Sequence, residues 1–225
     1  MFFGLTEEQE MIVETVRSFV ENEIYPHENL VENKGFVPRE IAQGIKQKCI
    51  NLGFYACNFP ENIGGAGLNH LDFALVEREL CRGSMALTHF FGRPQNILMA
   101  CKDEQIDKYL LPAVRGELMD ALAMTEPDAG SDVRGMKCFA KSQGTDWIVN
   151  GTKHFISGAE HADFVIVFIA TGEEKTEKGP KKKITAFLVD RGTPGFVIRD
   201  GYNSVSHKGY KNMILEFDDC RLPKE

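Results

Sequence analysis

The spacing of apolar residues changes once along this chain, near Leu118, and no other feature constrains the fold as much. Upstream, apolar residues recur every three or four positions, the period of a helix with one buried face. Downstream, short runs rich in Val, Ile, Phe and Thr alternate with turn residues, as in half-buried strands. Helices first and strands second make an α+β chain. The expectation is an all-helical bundle over residues 1–118, then an antiparallel β-barrel or sandwich over residues 119–225. A length of 225 residues accommodates two such domains, each with its own core.

The helical half carries its own start and stop signals. Thr6-Glu7-Glu8-Gln9 fits a capping box, and Ile12, Val16, Phe19, Val20 and Ile24 follow at helical spacing until Pro26, which ends the run. A second helix opens at Pro38, with Ile41, Ile45, Cys49 and Leu52 on one face and Gly53 beyond its end. Asn69, with Asp72 three residues on, starts a third that carries Ala74, Leu75, Val76 and Leu80. A fourth covers Met85 to Ala100, interrupted near Gly92 and Pro94, and a short fifth runs from Asp103 towards Leu111.

In the second half the expected strands are Leu118–Met124, Cys138–Lys141, Trp147–Val149, His154–Ser157, Phe164–Ala170, Thr185–Val189, Gly195–Ile198 and Asn212–Phe217. Thr171–Lys183 (TGEEKTEKGPKKK) reads as a charged loop between two of them. Its Lys178, Lys181, Lys182 and Lys183 form either a solvated surface or a cluster facing an anion.

Two polar stretches carry chemistry. Met124-Thr125-Glu126-Pro127-Asp128-Ala129-Gly130-Ser131-Asp132-Val133 reads as a tight turn on the seam between helices and strands. Pro127 fixes its own φ, Gly130 lets the backbone turn and a ligand come close, and Thr125 and Ser131 add hydroxyl donors. Successive N–H groups in such a turn form a nest for an anion such as a phosphate; its composition also suits an ordinary surface turn. Further on, Trp147 to Gly158 reads as strand, Asn150-Gly151 turn, strand. Phe155 and Ser157, two apart, then share one face. An aromatic wall beside a hydroxyl suits a planar hydrogen-bonding ring, or simply a strand packed on a core.

Thr125-Glu126-Pro127 running into Ala129-Gly130-Ser131-Asp132, then Asn150-Gly151-x-Lys153-x-Phe155-Ile156-Ser157, resembles the flavin-binding middle domain of the acyl-CoA dehydrogenases. Phe59-Pro60-Glu61-Asn62-Ile63-Gly64-Gly65-Ala66-Gly67 resembles the family's Pro-Glu-x-x-Gly-Gly-x-Gly loop, and Phe217–Pro223 the strand that closes the middle domain. The resemblance implies FAD held largely by the middle domain, with an acyl-CoA thioester stacked against the flavin. On that pattern Met124 and Thr125 meet the pyrimidine edge of the ring. Gly130 and Ser131 sit over the pyrophosphate, with Ser131 also near the CoA arm. Phe155 takes the family's aromatic position beside the dimethylbenzene or ring face, Ile156 adjoins the cofactor after it, and the Ser157 hydroxyl takes the position that hydrogen-bonds flavin N5. Met85–Phe91 matches the segment flooring the acyl pocket: Met85 and Phe90 would shorten it, and Thr88 and His89 would meet a polar acyl group. Ordinary helix packing explains those four residues as well.

The family's catalytic glutamate lies in a C-terminal helical domain, so no residue of this chain is expected to be the base. Glu126 is expected to stabilise the turn or face solvent. In the family's reaction that glutamate removes the α-proton as the β-hydrogen leaves as hydride to flavin N5. The product is a trans-2-enoyl-CoA, and the electrons pass to an electron-transfer flavoprotein. The resemblance further implies fatty acid metabolism and a homo-oligomer, dimer or tetramer, for the full-length protein. An acyl-CoA oxidase or flavin monooxygenase on the same scaffold, or a non-catalytic acyl-CoA-binding fragment, stand as alternatives. Tyr202–Lys211 (YNSVSHKGYK) departs from the family's Arg-x-Ser-x-Thr pattern, so the acyl group is left open.

A net charge of −7 argues against nucleic acid or an anionic membrane as partner, so a polyanionic ligand needs local donors. The six cysteines show no C-x-x-C pair and no ligand cluster, which suggests reduced thiols in a cytoplasmic protein without a metal. No apolar run is long enough to span a bilayer, and the N-terminus begins as a helix without the basic start of a signal peptide.

Overall fold

Thr6 closes the expected capping box: its Oγ1 accepts the Gln9 N–H at 3.2 Å, and Gln9 Oε1 accepts the Thr6 N–H at 3.1 Å. In the computed structural model, which describes residues 4–177 and 179–224, helix α1 (Glu7–Phe19) starts there. Ile12, Val16, Phe19, Val20 and Ile24 are buried, as their spacing requires. Pro26, however, does not end the run. A wide turn at Val20–Ile24 carries it into α2 (Tyr25–Lys34), where Pro26 sits in the first turn just past the widened stretch.

Helix α3 (Arg39–Asn51) follows Pro38 and buries Ala42, Ile45 and Cys49, whereas Leu52, past its last turn, is 50% exposed. Asn69 Oδ1 accepts from the Leu71 and Asp72 N–H groups and starts α4 (His70–Leu80). The expected fourth helix is broken into α5 (Met85–Thr88) and tight turns at His89–Phe91 and Asn96–Ala100, with Gly92 at φ 87° between them. A wide turn at Ile106–Leu110 leads into α6 (Leu111–Val114).

The chain up to Leu118 and the segment Ser204–Tyr210 make one compact unit. Its charge centre is Glu79, buried on α4, which accepts from Arg17 at 3.0 and 3.2 Å, Arg78 at 2.9 and 3.1 Å, and Arg82 at 3.3 Å. The hydrogen bonds from Arg17 hold the Glu79 carboxyl below the usual carboxylate range, against the opposing effect of burial.

Met119–Asn203 and Lys211 onward make the second unit. Its strands are β1 (Asp120–Ala123), β2 (Phe139–Gln143), β3 (Asp146–Ser157), β4 (Phe164–Thr176), β5 (Gly179–Asp190), β6 (Phe196–Asn203) and β7 (Lys211–Pro223). They form one seven-stranded sheet in the order β1-β4-β2-β3-β7-β6, with β5 on β4. Pairing is mixed rather than antiparallel throughout. β1 runs parallel to β4, and β2 meets β4 in parallel at Phe139 and Ala170. The long excursion through β2 and β3 supplies the crossover that a parallel pair needs. Val149, Val167, Ile169, Val189, Leu215 and Cys220 are wholly buried in its core.

The expected hairpin at Asn150-Gly151 is absent: β3 runs through it as one twelve-residue strand. Gly151 does take positive φ (137°), but in a bulge, where the β3–β7 register shifts between Val149 and Gly151. Asn150 fills the irregularity, accepting the Asp219 N–H at 2.9 Å and donating to Asp219 Oδ1 at 3.0 Å. A Cβ on Gly151 would lie 2.7 Å from Cys138 Cα, so the close approach requires glycine. The tight turn falls earlier, at Gly144-Thr145, where Gln143 pairs Asp146.

Thr171–Lys183 is likewise not a loop but a ribbon in which β4 and β5 continue together. Glu173 lies opposite Lys182 and Glu174 opposite Lys181, the latter pair 3.5 Å apart. Opposite charges across the strands let a linker-like composition pair as sheet. Lys178 lies outside the described residues.

Removing Glu79 takes away the shared acceptor of three arginines that keep access to water. Glu79→Ala should therefore cost about 1–3 kcal/mol in urea unfolding. A depressed carboxyl stabilises fully above its unfolded pKa, and that contribution is lost as pH falls through the lowered folded value. The difference between wild type and variant should thus shrink between about pH 7 and about pH 3; a constant difference would refute the assignment.

Candidate functional site

In the second unit β1 delivers the chain to Met124, and the polar turn begins. Glu126 and Ala129 exchange backbone bonds at 2.9 and 3.3 Å, closing a tight bend around Pro127. Beyond it, Asp132 accepts the Arg134 N–H at 3.2 Å, and the exposed Asp128 accepts from Lys137 Nζ at 2.6 Å. Gly130 and Ser131 are exposed at the outside of the bend. A Cβ on Gly130 would meet nothing within 4 Å, and its φ is not positive. Glycine is therefore not needed there for the turn itself; what it leaves is open room above the backbone.

Beneath this bend lies a buried ion pair. Lys153 of β3 is 0% exposed and Glu126 is 4% exposed. Lys153 Nζ donates to Glu126 Oε1 at 2.7 Å and to the Met124 carbonyl at 3.0 Å. Glu126 also accepts the Lys137 N–H at 2.5 Å and the Cys138 N–H at 3.1 and 3.2 Å. Both charges are thus paired and hydrogen-bonded, the condition for burying them. Glu126 proves to be the turn-stabilising residue and not a solvated one. Burial pushes the neighbouring Cys138 thiol up to about 12, so it is a packing residue and not a nucleophile.

The same contacts fix the bend to β3. Lys153 holds the Met124 carbonyl, and the His154 N–H donates to the Thr125 carbonyl at 3.0 Å. Met124 and Thr125 are thereby tied to Lys153 and His154, the two residues that precede the stretch Phe155–Ser157. The β3–β7 register shifts between Lys153 and Ile156 and Phe155 takes φ 57°, which breaks the alternation between the buried Lys153 and the exposed Phe155. Ile156 turns its side chain into the core, while Phe155 is 50% exposed. The Phe155 ring stacks on Tyr202 at 4.4 Å, and His154 Nδ1 lies 3.3 Å from the Tyr202 hydroxyl. The Ser157 hydroxyl donates to Asn212 Oδ1 at 2.9 Å.

Met85 and Thr88 belong to the helical unit, where they share a cavity of about 490 Å³ with Glu28, Ser84, Arg93 and Lys208. Met85 is exposed and Thr88 buried, with the Thr88 carbonyl accepting from Arg93 at 3.3 Å. Phe90 is buried, and the His89 ring meets those of Phe90 and Tyr210 edge-on. Lys182 donates to the Met136 carbonyl and Lys181 faces Glu174, so these lysines are engaged within their own unit. Lys153, His154, Tyr202 and Asn212 had no assigned role from sequence. The lysine stands inside the recognised Asn150-Gly151-x-Lys153 motif and was open to detection as a lone charge in a core strand; Tyr202 and Asn212 reach the site only through strand pairing.

Replacing one partner of the pair should strand the other charge. Lys153→Met is expected to cost about 3–5 kcal/mol in denaturant unfolding, and Lys153→Met with Glu126→Gln appreciably less. If the double variant loses the sum of the single losses, the two residues are not coupled.

Two family models match the chain. The "Acyl-CoA dehydrogenase, N-terminal domain" matches residues 6–117, and the "Acyl-CoA dehydrogenase, middle domain" residues 121–220. The mitochondrial isovaleryl-CoA dehydrogenase of Pongo abelii is 33% identical over 98% of this chain and 52% of its own length. The 3-(aryl)acrylate reductase of Clostridium sporogenes is 37% identical over 84% of this chain and 49% of its own. The crystal structure of a glutaryl-CoA dehydrogenase from Mycobacterium smegmatis in complex with FADH2 aligns with a TM-score of 0.81 at 29% identity, over 97% of this chain and 54% of that one. The chain spans about half the length of the curated relatives it matches. With both models accounting for nearly all of it, this chain belongs to the acyl-CoA dehydrogenase family.

Proposed function

We propose that the full-length protein uses FAD to dehydrogenate an acyl-CoA thioester between its α and β carbons. The observation that carries this reading is the double clamp that ties Met124 and Thr125 to Lys153 and His154, immediately before Phe155–Ser157 on β3. The residues fit the cofactor. Gly130 leaves open space where a pyrophosphate would approach backbone, with the exposed Ser131 next to it, Thr125 would meet the ring edge, and Phe155 offers an aromatic face. The M. smegmatis relative holds FADH2. FAD, once bound, supplies the hydride acceptor. Glu126 and Lys153 hold the bend at a fixed distance from β3, so that ring edge and N5 partner are addressed together. Ser157, its hydroxyl held by Asn212, would face the nitrogen that receives the hydride.

The carboxylates of the bend are not placed as bases. Glu126 is committed to Lys153 and two backbone N–H groups, Asp128 to Lys137, and Asp132 to the Arg134 N–H. A general base must lie within hydrogen-bond reach of the α-proton. By family resemblance a glutamate beyond this chain supplies it. The same resemblance supports a trans-2-enoyl-CoA product, a flavoprotein electron acceptor and a homo-oligomer. Met85 and Thr88 are proposed to limit the acyl group.

The test is to purify the full-length protein, extract and quantify its flavin, and assay a panel of acyl-CoAs with a dye acceptor. Stoichiometric FAD and acyl-CoA-dependent dye reduction are expected. A colourless protein, or one with FAD that reduces dye with no acyl-CoA, would overturn the reading; fast reoxidation by O₂ would favour an oxidase. Gly130→Val should fold normally, judged by its melting curve, but retain little FAD. Ser157→Ala should slow single-turnover flavin bleaching by about 10²-fold or more while leaving acyl-CoA affinity near that of wild type.

A further inference from the structure

Ser157, Asn212 and Tyr202 lie opposite one another across three adjacent strands. Ser157 of β3 pairs with Asn212 of β7, and Asn212 pairs with Tyr202 of β6. Directly opposed residues in a ladder project to the same face, so the three side chains form one row. Phe155 joins that row by stacking on Tyr202. At its centre, the Ser157 hydroxyl donates its proton to Asn212 Oδ1 at 2.9 Å.

A serine hydroxyl has one proton to donate and two lone pairs to accept with. With the proton spent on Asn212, Ser157 presents only lone pairs to a ligand. An oxidised flavin offers N5 as an acceptor, and two acceptors facing each other gain no hydrogen bond. The two-electron-reduced ring offers N5–H as a donor and matches the lone pair. Resting on the proposed function above, we infer that Asn212 is a redox-tuning positioning residue, which holds the Ser157 hydroxyl as an acceptor and thereby favours the reduced ring.

The inference is tested by the midpoint potential of the flavin bound to the full-length holoprotein. Asn212→Leu keeps a side chain of similar size and removes the acceptor, so the Ser157 proton becomes free to meet oxidised N5. The ratio of reduced to oxidised flavin at a fixed potential should fall about tenfold, equivalent to about 30 mV for a two-electron couple. In a Ser157→Ala background the same substitution should leave the potential unmoved, because the proton it controls is gone. Should Asn212→Leu fail to retain FAD, Asn212→Val, a good strand former, is measured in the same way. An unchanged potential in a flavin-loaded Asn212 variant, or an equal shift in both backgrounds, overturns the inference alone. A wild-type protein without flavin overturns the proposed function and this inference with it.

Discussion

The geometry of the site rests on the Glu126–Lys153 pair. Taking two charges out of water costs several kcal/mol per ion, and the cost is offset only where each finds good partners. Here the carboxylate has three donors and the ammonium two acceptors. The partners come from different elements: Glu126 from the bend after β1, Lys137 and Cys138 from the approach to β2, and Lys153 from β3. One buried pair therefore locks three segments together. It also sets register, because a one-residue slip of β3 would turn Lys153 to the opposite face.

That register is held against a cost. Phe155, a non-glycine residue at φ 57°, occupies a conformation that disfavours an L side chain by about 1 kcal/mol or more. Its surroundings over-determine it. The preceding residue is tied to Thr125, the following one is buried in the core, and its own ring lies on Tyr202. The strain turns an aromatic ring outwards near the end of β3, between the buried Lys153 and Ile156. Phe155 and Ser157 lie in the sheet unit, and Met85 and Thr88 line a cavity of the helical unit with Glu28, Arg93 and Lys208.

Much of the architecture was legible without coordinates, because it depends on contacts between near neighbours. Capping boxes and N-caps act over three residues, and Thr6 and Asn69 perform as their sequence context indicates. Helical burial follows a period of 3.6, and α1 buries the expected face. Local rules failed where two readings were locally equivalent. Asn-Gly tolerates positive φ in a turn and in a bulge alike, and only pairing with Asp219 chose the bulge. A run of Glu and Lys suits a solvated loop until its charges face each other across a ribbon.

The sequence by itself determined the order of helices and strands, most of their caps, and the motifs by which the family is recognised. All of these are set by interactions within a few residues of one another. Tertiary structure decided which polar residues are buried and which face they share. Glu126 and Lys153 meet across 27 positions, and Ser157 and Asn212 across 55. A lone charge in a core strand marks Lys153, but nothing local names the partner in either pair; only the sheet, by bringing the two together out of solvent, makes the contact favourable.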